Sequence, residues 1–288
     1  MRTIRTSLPL LAITLLLGPI SRCVAADEPG AAQPKSADQP WEKGSVSFGG
    51  FLTAFDSTLA FGADNLGVHI DGEELLDLDS KLTVIRGGAL YRPGKSRRHQ
   101  LELTYAAYHR SGHATIDEEI EVGDVTLPVG ADVDTVFNFD IIRGNYSYAV
   151  LQDGRMRIAL GLGVYAVPLR FSLEAETAGG RVAVEAADTT LPLPSLALRA
   201  DFLLVNKLYL SAGIDAMYLE VSDFKGSLLD VNIALEYRPW KHVGFGLGYN
   251  GFSVDVEGQR DSDYPGVDFV GDVGVHYSGL MLYGKFLF

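Results

Sequence analysis

From Ser45 onward, apolar side chains alternate with polar or small ones at a period of two, and no 3.6-residue stripe persists. That is the repeat of a β-strand with two unlike faces. The clearest stretch sets Leu229, Val231, Ile233, Leu235 and Tyr237 against Asp230, Asn232, Ala234, Glu236 and Arg238. Ten such segments are predicted, at about 45–56, 78–92, 98–114, 134–150, 154–174, 189–204, 206–222, 226–239, 241–257 and 268–288.

Alternation alone also suits a soluble sandwich, so the turns decide. Short gaps at Pro93–Arg97, Gln152–Asp153, Val205–Asn206 and Pro239–Trp240 alternate with mostly longer ones at 57–77, 115–133, 175–188 and 258–267, the link at Ser222–Lys225 being the one tight exception. An even strand number with short turns at one end and long loops at the other is the pattern of a membrane barrel. The expected fold is therefore all-β: a closed antiparallel up-and-down transmembrane β-barrel of ten strands over residues 45–288. Short turns carry Arg92, Lys95, Arg97, Arg98, Arg155, Lys207, Arg238 and Lys241, whereas the long loops contain DGEELLDLD, IDEEIEVGD and GQRDSDYPGVD. Each end thus has its own sign. Aromatic residues beside the short turns, notably Tyr91, Tyr148, Tyr237, Trp240, Phe286 and Phe288, suit an interfacial girdle.

Ahead of the strands, Arg2 and Arg5 precede an apolar run from Leu8 to Ile20, which ends in Val24-Ala25-Ala26. This is the order of a secretory signal peptide, and the run is too short for a permanent membrane helix, which needs about 20 residues. Cleavage after Ala26 is expected. Residues 27–44 follow with Pro29, Pro34 and Pro40 and no apolar periodicity, so they are expected to form a flexible periplasmic lead-in.

The chain's one cysteine, Cys23, would leave with the signal, which removes disulfides, thiolate metal sites and thiol nucleophiles from consideration. The net charge of −13 becomes more negative still once the three signal-segment arginines are gone. Such acidity argues against nucleic acid as a partner.

The last residues, Leu280-Met281-Leu282-Tyr283-Gly284-Lys285-Phe286-Leu287-Phe288, resemble the C-terminal assembly signal of bacterial outer-membrane β-barrel proteins. Leu280, Leu282, Phe286 and Phe288 match its lipid-facing register, and Gly284 stands where a larger apolar residue is usual. The resemblance implies a Gram-negative outer-membrane location, recognition by the barrel assembly machinery, and outer-membrane lipids and lipopolysaccharide as surroundings. It identifies no functional family, because small barrels serve as adhesins, lipid-modifying enzymes, surface proteases and narrow transporters.

Extending the register places Glu102, Arg110, Arg157, Arg199, Asp201, Asp215, Asp230, Asn232, Glu236, Arg238 and Lys285 inside the barrel. At ten strands these charges are expected to form a salt-bridged plug, the alternative being a narrow polar conduit. Glycine runs such as Gly244, Gly246 and Gly248 sit at strand spacing with no helix after them, so they signal curvature and not a phosphate loop. For chemistry at the rim, the candidates are His109 and His113, on one strand face near Ser111 and the acids Asp117, Glu118 and Glu119, and His276 with Asp272. Solvated charge is the plainer explanation of all three histidines. Nothing in the sequence implies a cofactor or a dedicated metal site, although the acidic loops could share divalent ions with lipopolysaccharide. The expected role is non-enzymatic: structural, surface-interacting or a limited small-solute passage, with a surface lipid or peptide hydrolase as runner-up.

Overall fold

β-Branched and aromatic residues at alternate positions give each strand a pleat that one neighbour alone cannot cover, and the chain solves this by closing the sheet on itself. The computed structural model describes residues 40–61, 68–71, 77–116, 120–122, 125–177, 180–221, 224–258 and 271–288. Residues 1–39 and much of the acidic loops lie outside them. The described strands are β1 (Gly44–Phe61), β2 (Val68–Asp71), β3 (Lys81–Tyr91), β4 (His99–Thr115), β5 (Ile120–Val122), β6 (Val125–Leu127), β7 (Asp132–Gln152), β8 (Met156–Thr177), β9 (Gly180–Val205), β10 (Leu208–Val221), β11 (Phe224–Tyr237), β12 (Val243–Gly258) and β13 (Gly271–Leu287).

Ten of these form the barrel wall, antiparallel in the order β1-β3-β4-β7-β8-β9-β10-β11-β12-β13. The ring is closed by β13 on β1, in register from Ser45↔Leu287 to Phe61↔Gly271. β2 takes the place of β3 beside the top of β1, and β5 and β6 form a separate small hairpin. The sheet therefore has the closed ten-stranded form that the alternation predicts.

Two local expectations change. The gap at 175–188 is no loop, since the β8–β9 ladder runs on to Thr177↔Gly180. Alternating Val182 and Val184 favour extended backbone there. Residues 40–43 are not a free lead-in either: Trp41 and Glu42 are buried in the barrel's turn-end mouth.

The wall reverses its polarity halfway up. On β7, the inward face at the loop end carries Val133, Phe137, Phe139 and Ile141, and at the turn end Arg143, Asn145 and Ser147, all buried. The outward face does the opposite, with Asp132 and Asp134 at the loop end and exposed Ile142, Tyr146, Tyr148 and Val150 at the turn end. The same belt of exposed apolar side chains runs round the wall, through Leu101, Leu103, Leu160, Leu162, Leu196, Leu198, Leu235, Leu247, Leu280 and Leu282. A run like Ile142 to Val150, tilted as barrel strands are, is about 20 Å tall. A wall greasy outside and charged inside suits lipid, and one greasy inside and charged outside suits water.

Candidate functional site

The turn-end half of the interior is a network of paired charges. Asp215 accepts from Arg199 Nη2 at 2.8 and 3.0 Å and from Arg143 Nη1 at 3.1 Å. Glu102 accepts from Arg199 Nε at 3.1 Å. Asp201 pairs with Arg92 at 3.4 Å and Arg157 at 3.3 Å, and takes a hydrogen bond from the Ser211 hydroxyl at 2.9 Å. Asp230 accepts from the Tyr165 hydroxyl at 2.9 Å and from Asn250, which in turn accepts from Arg86 at 2.9 Å. Buried charges survive only when met by such partners.

Glycines make room for this. A Cβ at Gly163 would come within 2.8 Å of the Ser195 hydroxyl and 2.9 Å of Asn145 Nδ2, both buried interior groups. Between the charges remains a cavity of about 170 Å³, lined among others by Glu42, Arg86, Glu102, Asn232, Glu236 and Lys285.

The chain's own residues 40–43 fold into the mouth of that cavity, with Trp41 and Glu42 buried there. Glu42 meets Arg92, Arg238 and Lys285, each at 3.0 Å. Burial alone would raise the Glu42 carboxyl, but the charges of Arg92, Lys285 and Arg238 hold it well below the usual carboxylate range. Trp41 donates from Nε1 to the Asp153 carbonyl at 3.0 Å and lies edge-on to Tyr209, whose hydroxyl donates to the Pro40 carbonyl at 3.3 Å. Arg97 donates to the Trp41 carbonyl. Lys285 also reaches Glu236 at 2.9 Å, Glu236 is bonded by Arg238, and Arg238 stacks over Tyr209 at 3.8 Å.

Above the charges the interior is mostly apolar. Phe55, Tyr108, Phe139, Phe252 and Tyr277 form an aromatic layer, with Tyr108 on Phe139 at 4.7 Å and Phe252 on Tyr277 at 4.9 Å. Val167, Leu169, Phe171, Leu173, Phe224, Leu228, Val254 and Val256 continue it towards the loop end.

No protein-family model matches the chain, and no curated protein matches its sequence. Among solved structures it is similar to the outer membrane protease OmpT from Escherichia coli, at 10% identity over 85% of this chain and 97% of that one, with a TM-score of 0.48. It is similar also to OprG from Pseudomonas aeruginosa (12% identity, 87% and 98% covered, TM-score 0.33) and to Ail of Yersinia pestis (10%, 84% and 99%, TM-score 0.31). What this chain does has to be sought in its own residues.

The eleven residues that the register assigns to the lumen all point inward, but they do not form one group. Glu102, Arg157, Arg199, Asp201, Asp215, Asp230, Asn232, Glu236, Arg238 and Lys285 belong to the charged half. Arg110 lies in the apolar half, over the Phe55 ring at 4.7 Å and donating to the Asp79 carbonyl at 2.9 Å. Leu280, Leu282, Phe286 and Phe288 all stand on the exposed belt. Among the described residues, the buried or pocket-lining interior charges that the register reading passed over are Glu42, Arg86, Arg92 and Arg143. The last three sit at strand parity and were legible, whereas Glu42 precedes any periodic stretch.

The three candidate histidines are on the outer wall, not in the interior. His109, exposed, is 4.0 Å from the half-buried Asp140. His113 Nδ1 is 2.8 Å from Asp134. His276 is held by Asp255 of β12, at 3.3 Å from Nε2, and by the Ser253 hydroxyl, at 2.9 Å from Nδ1. The candidate partner Asp272 was read from the same strand, but the carboxylate at hand comes from the neighbouring one. Among the described residues no group of three or more His, Cys, Asp and Glu could hold a metal ion. Residues 117–119 fall outside the described part.

Proposed function

We propose that this chain is an integral outer-membrane protein of a Gram-negative envelope whose barrel is sealed to solutes, and which works through the wall and rim that it holds above the lipid. The observation that carries the reading is the double closure of the interior. Residues 40–43 fold across the turn-end mouth, and the apolar core from Phe55 to Val256 fills the loop half. Water and ions avoid a lumen packed with valine and phenylalanine, so a polar conduit has no continuous path among the described residues.

The belt supports the location. Apolar side chains face outward over about 20 Å, close to the roughly 25 Å band of an outer-membrane barrel, with Tyr237, Trp240, Phe245 and Phe286 beside the short turns. In this orientation the short basic turns lie in the periplasm. The loop-end strands then stand about 25 Å clear of the lipid, with acidic side chains such as Asp132, Asp134, Glu174 and Glu176 facing water. A stiff, acidic collar suits contact with surface partners and with the divalent ions around lipopolysaccharide. Phe288, outward and at the strand end, suits recognition by the assembly machinery.

The test is single-channel recording on residues 27–288 refolded into lipid bilayers, with folding verified by protease resistance. Silence at all salt concentrations is expected. Discrete, reproducible conductance steps would overturn the sealed-barrel reading.

A further inference from the structure

The outward faces of β11, β12, β13 and β1 make a lattice whose rows follow from the strand register. One row reads Leu229, Ser253, His276, Asp56, with Ser227, Asp255 and Gly274 in the row above. Below come Val231, Gly251, Ser278 and Ala54, and below those Ile233, Tyr249, Leu280 and Leu52 of the apolar belt. A serine, a histidine and an aspartate therefore meet on the outer wall, separated from the greasy belt by a single row of mostly small side chains.

Their mutual geometry has the nucleophile-to-base and base-to-carboxylate relations that nucleophilic acyl transfer uses. The Ser253 Oγ is 2.9 Å from His276 Nδ1. On the other side of the ring, His276 Nε2 is 3.3 Å from Asp255 Oδ1. Asp255 is itself held by the Ser227 hydroxyl at 3.4 Å, and Ser253 also reaches Asp255 at 3.4 Å. A carboxylate at Nε2 favours a proton on that nitrogen and leaves Nδ1 free to accept one from the serine. The histidine and the aspartate are about half exposed, so a substrate can approach. His113 and Asp134 form a closer pair on the same wall, but among the described residues no hydroxyl joins their ring.

The surroundings select the substrate. A Cβ at Gly251 would meet nothing nearer than 3.8 Å, on the Tyr249 ring, so the wall is shallow directly below Ser253. An acyl chain lying along that shallow strip, past Ser278 and Ala54, continues onto Tyr249, Leu280 and Leu52. Its ester carbonyl then sits at the level of Ser253, where hydrocarbon gives way to headgroup.

We propose that Ser253, His276 and Asp255 hydrolyse the ester of an acyl chain carried by a lipid of the surrounding leaflet. Ser253 Oγ attacks the ester carbonyl carbon as its proton passes to His276 Nδ1. The tetrahedral intermediate collapses by breaking the carbon–oxygen bond to the alcohol, which leaves with that proton. Water, deprotonated by the same nitrogen, then attacks the acyl-serine, and the proton returns to Ser253 Oγ as the fatty acid departs. Ester and water thus give acid and alcohol. Backbone N–H groups here are committed to the sheet ladder, so the oxyanion must be met by side chains, and we assign that role to the Ser278 hydroxyl, which stands opposite Gly251 one row below Ser253.

The experiment uses mature chain refolded in two kinds of vesicle. One holds phosphatidylethanolamine with radiolabelled acyl chains, and the other lipopolysaccharide with labelled ester-linked chains. Fatty acid release is followed in both, together with labelling by a fluorophosphonate read by mass spectrometry. Release from one lipid names the source. Ser253→Ala and His276→Asn should lower that release about a hundredfold or more, and Ser278→Ala should lower kcat more than it changes KM. His109→Asn should leave it unchanged, and the fluorophosphonate adduct should fall on Ser253 and vanish in His276→Asn. Folding of each variant is checked by its heat-dependent gel mobility. The proposal is overturned if neither lipid is cleaved and no adduct forms, or if folded Ser253→Ala retains the rate. Conductance is measured separately, so the sealed-barrel reading stands or falls without this one.

Discussion

Arg199 and Asp215, on adjacent strands β9 and β10, are joined through a single guanidinium nitrogen that lies 2.8 and 3.0 Å from the two carboxylate oxygens. Both side chains are almost wholly withdrawn from water, and Asp215 is met from the other side by Arg143. The pair is thus the centre of a cross-barrel clamp. Removing one partner leaves its opposite number buried and unmatched, so Asp215→Ala should lose about 3–5 kcal/mol of unfolding free energy. Urea titration in lipid vesicles measures this. Arg199→Ala combined with Asp215→Ala should cost clearly less than the two single losses added together.

Glu42 makes the mouth of the barrel sensitive to acid. Its folded-state carboxyl lies below its ordinary value, so its contribution is fully present above the ordinary carboxylate range and is lost as pH falls through the depressed value. The chain has two tryptophans, so Trp240→Phe leaves Trp41 as the only one. Acrylamide quenching of that variant should be weak at neutral pH and rise in strong acid. Adding Glu42→Gln should give strong quenching at every pH. Quenching that stays weak in the double variant would show that the carboxylate does not hold the stopper.

The reversal of polarity predicts opposite responses from one face of one strand. Leu162 and Ser172 both point outward from β8, Leu162 within the apolar belt and Ser172 above it. Leu162→Arg should cost about 2–4 kcal/mol in a bilayer, whereas Ser172→Arg should change stability by less than about 0.5 kcal/mol. Equal costs would mean that the lipid boundary has been placed wrongly.

The closing seam depends on a missing side chain. A Cβ at Gly279 of β13 would run into the carbonyl of Leu52 on β1. Gly279→Ala should therefore force the β1–β13 ladder apart and slow barrel closure. A reduced folded fraction on unheated gels is expected, while Gly50→Ala, where nothing lies within 4 Å, should fold as the parent does.

By itself the sequence determined the ten strands, their antiparallel order, the unequal ends and the inward residues of the turn half, because period two is a local property of each pleated strand. It also carried the mark of the polarity reversal. Apolar residues on both faces at neighbouring positions, as at Ile141-Ile142 and Val164-Tyr165, are where alternation changes phase. Reading each strand as one greasy face and one charged face overlooks them and turns an apolar upper core into an imagined polar lumen. Only the tertiary structure decided the rest. Glu42 finds its three cations on β13 and beyond the ends of β3 and β11, so no spacing along the chain could announce it. Ser253 and Asp255 meet His276 only because β12 and β13 pair in one register, and a shift of one residue would have turned the histidine to the other face.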